Sequence, residues 1–176
     1  MIDRKVEDYQ TEAVRILAHN VQQMLASDLV CSDEIVGCSE NDIRSMENSL
    51  GVKFPAIYRE FLKVMGANAG GLFQGDDYEC WKLLRLRSAV AEHLEKSQYK
   101  LASEQLVFMG SQGCSFLLFG SVKCADPEVL RMEDLEMMPT SIGMKFSEWL
   151  NLKINDELRI LTKVIERADS AGKRSE

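Results

Sequence analysis

The apolar residues of this chain change their spacing near residue 100, and that change limits the fold more than any single motif. Before it they recur every three or four residues, the period of an amphipathic helix; beyond it they come in short runs, the pattern of strands. Val6, Tyr9, Ala13, Ile16, Leu17, Val21, Met24 and Leu25 predict one long helix from residue 3 to about 27, with Asp3 as its N-cap. Its apolar stripe can pack on its own domain, which we expect, or be offered to another chain. Leu29 to Gly37 reads as a connector. Ser39-Glu40-Asn41-Asp42 then has the Ser-x-x-acid form of a capping box, with Ile43, Met46 and Leu50 on one face behind it. Gly51 sits where a left-handed C-terminal residue is wanted. Pro55 opens a third helix, because its missing N–H would have no partner in a first turn; Ile57, Tyr58, Phe61, Leu62, Val64 and Met65 form its apolar face and Gly66 closes it.

Asn68-Ala69-Gly70-Gly71 and Gly75-Asp76-Asp77 have the composition of a flexible loop. Leu84-Arg85-Leu86-Arg87 alternates like a strand, so we expect a strand over 80–86 and a helix over 89–97 capped by Ser88. Leu106 to Met109 and Cys114 to Phe119 flank Gly110-Ser111-Gln112-Gly113, a natural hairpin connection, and Val129 to Met132 gives a third strand. Phe146 to Lys153 returns to helix, and Leu158, Leu161, Ile165 and Ala168 continue it. Helices first and strands later predict an α+β domain, with N-terminal helices packed on one side of an antiparallel sheet and a C-terminal helix. The organisation expected is an amphipathic helix over 1–31, a central domain over 32–153, a C-terminal helix over 154–169 and a tail over 170–176.

Composition excludes several function classes. With 21 Lys plus Arg against 28 Asp plus Glu the net charge is −7, and the basic residues are scattered. Nucleic-acid binding draws on a basic patch, so no nucleic-acid partner is expected. No apolar run approaches the 20 or so residues of a spanning helix, so no membrane partner is expected either. Asp3, Arg4, Lys5, Glu7 and Asp8 with no apolar stretch behind them do not read as a secretory leader, so a cytoplasmic location is expected. The five cysteines, Cys31, Cys38, Cys80, Cys114 and Cys124, contain no CxxC pair and suit reduced, mostly buried thiols. His19 and His93 each stand alone, so no metal site and no cofactor are expected.

The remaining motifs read as structure. Gly110-Ser111-Gln112-Gly113 has the GxxG spacing of a nucleic-acid clamp, yet it lies between strands in an acidic chain and is better explained as a turn. Met109 removes the nucleophile-elbow reading of Ser111. The Asn68 to Gly71 stretch lacks the GK[ST] ending of a phosphate loop. Asp76-Asp77 has no carboxylate partner at a fixed separation for acid–base chemistry. Met132, Met137, Met138 and Met144 cluster, which suits either core filling or an adaptable interface.

One stretch carries a resemblance. Residues 39–71 read Ser39-Glu40-x-x-Ile43-x-x-x-Glu47-x-x-Leu50-Gly51-Val52-x-Phe54-Pro55-x-x-Tyr58-x-x-Phe61-Leu62 and end in Gly70-Gly71. This resembles the N-terminal signature of the SUKH superfamily, which groups the fungal Smi/Knr cell-wall regulators with many bacterial immunity proteins. The later strands and the Phe146 to Leu150 helix are similar in order, so the likeness spans about 32–153. Phe54 stands where that family usually has Leu, and the Asn-Gly-Gly loop is stretched by Ala69. The resemblance implies a non-enzymatic protein-binding module, an immunity protein that neutralises a toxin domain, or alternatively a regulatory scaffold without a toxin. The −7 charge would complement a basic, nuclease-type toxin. Asp76, Asp77 and Glu79 in one loop, and Asp126, Glu128, Glu133 and Glu136 in another, are the acids expected to meet it. Leu50, Gly51, Phe54, Pro55, Tyr58, Phe61, Leu62, Gly70 and Gly71 are expected to be structural.

Overall fold

The computed structural model describes residues 2–27, 29–30, 32–133 and 138–172; Cys31, Glu136 and Met137 lie outside them. Helices α1 (Ile2–Ala26), α2 (Glu40–Leu50), α3 (Ala56–Met65) and α4 (Leu83–His93) come first, and α5 (Phe146–Gly172) closes the chain. Short strands β1 (Ile35–Val36) and β2 (Asn68–Ala69) pair with each other. Strands β3 (Asp76–Asp77), β4 (Leu106–Ser111), β5 (Ser115–Phe119), β6 (Glu128–Glu133) and β7 (Thr140–Lys145) form an antiparallel sheet in sequence order. The fold is α+β with a C-terminal helix. Among the described residues no helix is long and apolar enough to cross a membrane.

Local chemistry sets the α2–α3 unit as the sequence suggests. The Ser39 hydroxyl accepts from the Asp42 N–H, and the Asp42 carboxylate accepts from the Ser39 N–H, completing the capping box. Gly51 takes φ 69°, the left-handed end that a Cβ would disfavour. Pro55 caps α3, and Gly66 donates back to Leu62.

One face of the sheet carries the core. Tyr58 of α3 lies 5.2 Å from Phe119 and 5.6 Å from Phe146 between ring centres, both edge-on, and Phe108 stacks on Phe119 at 4.5 Å. Such offsets suit the ring quadrupoles. A register shift between Val107 and Met109 is what frees Phe108 to join this cluster. α1 packs on α3 and α5, with Leu17 and Met24 buried. Leu17 and Met24 of the stripe therefore serve their own domain, which removes those two residues from any docking role. α4 lies against the opposite side of β4, where a Cβ on Gly110 would come within 2.6 Å of Leu86.

Several expectations are corrected. Residues 80–86 are not a strand: a 3-10 turn, Cys80–Lys82, leads into α4, whose buried Leu83, Leu86 and Val90 follow the helical period that Leu84-Arg85-Leu86-Arg87 masks. Ser88 lies inside that helix, its hydroxyl donating to Leu84, and does not cap it. The connector and the glycine-rich loop each contain a strand, because β1 finds β2 across the end of α3 and β3 finds β4. Asp3 falls inside the first turn of α1, and two of the described cysteines, Cys114 and Cys124, are exposed while Cys38 and Cys80 are buried. β7 carried no apolar run to mark it, and α5 runs unbroken through residues 153 and 154.

Candidate functional site

Glu47 stands on the buried stripe of α2, one turn after Ile43, and its side chain is 1% exposed. Its carboxylate accepts from the Phe54 N–H at 2.8 Å, from Arg59 at 2.7 Å and from Lys53 at 3.2 Å. Burial pushes this carboxyl up, but the Phe54 amide and the Arg59 and Lys53 cations outweigh it and hold it below the usual carboxylate range. The Leu50-Gly51-x-x-Phe54-Pro55 turn is thus wrapped around a buried anion. A charged residue on an apolar helical stripe was the available sequence signal for it. The group is fully engaged and structural.

One open feature of the described residues is a cleft of about 470 Å³ between the sheet and α5. Strand register builds its floor. Asp76, Ser111, Ser115 and Glu133 lie side by side across β3 to β6, and Met109, Leu117 and Arg131 form the next row on the same face. Ile142 and Met144 extend it on β7, with Gly143 between them at φ 72° where the β6–β7 register slips. Trp149, Leu152, Lys153 and Asp156 share one face of α5 and make the wall. Trp149 is held edge-on to Phe108 at 5.2 Å, and Leu152 is half exposed.

Two contacts fix that wall to the floor. Lys153 bridges to Asp76 at 3.1 Å and to Glu157 at 2.9 Å. Burial works against its ammonium, and the two carboxylates overcome this and raise its pKa. At the start of α5, Asp126 accepts from the Ser147 N–H at 3.0 Å and from its hydroxyl at 2.6 Å, capping the helix from the β5–β6 loop.

The expected acids therefore separate. Asp76 and Glu133 both line the cleft, Glu133 lying 3.2 Å from Arg131. Asp77 pairs with Lys82 and Arg85, and Glu79 with Lys82, on the neighbouring surface. Asp126 is a helix cap, and Glu128 accepts from the Ser141 hydroxyl on β7. Glu136 lies outside the described residues. Of the methionine cluster, Met144 reaches the cleft while Met132 is buried and Met138 exposed. The floor residues Met109, Leu117 and Ile142 went unmarked because their common face depends on pairing between distant segments.

Among the described residues no group of three or more His, Cys, Asp or Glu side chains could hold a metal ion. What the arrangement offers is shape, apolar contact and rim charge. The family model described as SMI1 / KNR4 family (SUKH-1) matches residues 37–152, about two thirds of the chain. No curated protein matches the sequence.

Proposed function

Since the chain belongs to the SMI1/KNR4 family (SUKH-1), we propose that it is a non-enzymatic protein-binding domain, an immunity protein that binds and neutralises a toxin domain in the cytoplasm. The observation that carries this reading is the cleft on the matched segment, where Leu117, Ile142, Met144 and Leu152 leave apolar surface open beside paired charges. Interfaces of this kind gain affinity from apolar anchors at the centre, while rim charges set orientation and approach. The net charge of −7 favours a basic partner of nuclease type, and Asp76, Asp77, Glu79, Glu128 and Glu133 are the acids it would meet. Those acids already face Lys153, Arg131, Lys82, Arg85 or Ser141, so a basic partner exchanges existing pairs and gains specificity more than energy.

The test is co-expression with the product of the adjacent gene, scored by growth and by co-purification. Wild-type protein should restore growth and be retained with that product. The double variant Leu152→Lys/Glu133→Lys, at two half-exposed positions, should stay folded and lose both. Full protection by the variant would sink the cleft assignment, and a neighbour that is neither toxic nor retained would sink the immunity reading.

A further inference from the structure

Two thiols away from the cleft come together where α3 ends. Cys38 follows β1 and Cys80 opens the 3-10 turn before α4, so they arrive from either side of the α2–α3 unit. The Cys38 N–H donates to the Leu62 carbonyl at 2.8 Å, and the Cys80 N–H donates to the Gly66 carbonyl at 3.0 Å. Carbonyls four residues apart on a helix lie about 6 Å apart along its axis. That is inside the Cα separation of about 4.4–6.8 Å that a disulfide spans. Gly37 permits the close approach, since a Cβ there would fall 1.7 Å from the Lys63 carbonyl oxygen.

The side chains meet as well. Both are free thiols, Cys38 9% exposed and Cys80 2%, and the Cys80 thiol donates to the Cys38 sulfur. That bond holds the Cys38 pKa below the ordinary thiol value against burial, and it keeps the proton on Cys80, whose own pKa it raises together with burial. The Tyr58 hydroxyl feels the same pair: burial first, then the charges of Cys80 and Cys38, push its pKa up. It is fully buried and has no hydrogen-bond partner among the described residues, so its O–H is available to an oxygen added at sulfur. A proton-poor sulfur beside a proton-bearing one is the arrangement of an attacking thiolate and its resolving thiol.

We propose that Cys38 and Cys80 form a dithiol site oxidised by hydrogen peroxide, Cys38 attacking the peroxide and Cys80 closing a disulfide. The Cys38 thiolate attacks one peroxide oxygen, the O–O bond breaks, and the other oxygen leaves as hydroxide and takes up a proton to become water. The Cys80 sulfur then gives up its proton and attacks the Cys38 sulfur of the sulfenic acid. The S–S bond forms, the S–O bond breaks, and the departing oxygen leaves as the second water. Two thiols lose two electrons and one peroxide gains them. A water-sized oxidant suits a thiol as covered as Cys38, and a reducing thiol reopens the bond. The disulfide would tie the entry of α2 to that of α4 around residues 38–80. The inference does not rest on the cleft or on a toxin.

The test treats the full chain with hydrogen peroxide and reads it by non-reducing peptide mapping. A Cys38–Cys80 peptide should form, lighter than the reduced pair by the mass of two hydrogens, and should revert with dithiothreitol. Closing so long a loop should raise Tm by roughly 5–15 °C. In Cys80→Ser, which keeps an O–H donor beside Cys38, dimedone should trap Cys38 as its sulfenic acid. In Cys38→Ser, Cys80 should remain a thiol. The mapping of the unsubstituted chain decides the matter should either variant not fold. Peroxide that leaves both residues as thiols, or that bridges them only to Cys114 or Cys124, would overturn the proposal. So would a sulfenic acid at Cys80 in Cys38→Ser, or a Tm lowered by the Cys38–Cys80 bond.

Discussion

Glu47 and Glu133 are both glutamates beside an arginine, yet their surroundings make them different objects. The Glu47 side chain is 1% exposed and its carboxylate serves Arg59, Lys53 and a backbone N–H at once; the Glu133 side chain is 50% exposed and meets Arg131 at 3.2 Å. Removing one partner of a buried pair strands the other charge away from water, whereas an exposed pair separates into solvent. Burial, more than the ion pair, decides which glutamate holds the fold and which can exchange its partner for another. The α2–α3 turn is accordingly closed and committed, and the cleft is open and exchangeable.

The largest expected effect breaks the closed side. Glu47→Ala should cost about 3 kcal/mol in urea unfolding, leaving the buried Phe54 N–H without its acceptor and Arg59 with Glu40 as its remaining partner. A loss below about 1 kcal/mol would erase the distinction drawn between the two regions. The same carboxylate gives wild type an acid sensitivity of known sign. Its native pKa is depressed, so its stabilisation is whole above the unfolded value of about 4.3 and drains away as pH falls through the native one. Glu47→Ala should lack that component of acid unfolding.

An intermediate effect is expected at Asp126, which joins the sheet to the wall of the cleft. Asp126→Ala should destabilise by about 1 kcal/mol, the ordinary value of a lost helix cap, and hydrogen exchange should speed up in the first turn of α5 ahead of the sheet. Uniform exchange across the domain would mean the cap is not a local device. The smallest effect is expected on the open side. Glu133→Ala should alter unfolding free energy by no more than about 0.5 kcal/mol, and a larger loss would place that glutamate with Glu47.

These two regions also differ in how far the sequence discloses them. Ser39, Asp42, Gly51 and Pro55 act on neighbours within a few positions, so the caps, the ends of α2 and the start of α3 are legible from spacing alone. Even there, Glu47 is passed over when only apolar residues are sought on the stripe. The cleft is different in kind. Asp76 and Glu133 come into one row only through three strand pairings, and Met109 lies in the next row beside Leu117 by the register of the β4–β5 hairpin. Helix α4 shows the opposite failure, since an alternating Leu-Arg run imitates a strand when its apolar partners one turn away are ignored.

Strand β7 is the outermost strand of the described sheet, with no strand on its far side. An extended, regular border of amides and carbonyls is a template on which further copies can polymerise. Gly143, at φ 72°, breaks that regularity in the middle of the strand, and Lys145 sets a charge at its end. The border is therefore a poor template for strand addition by another copy of the chain.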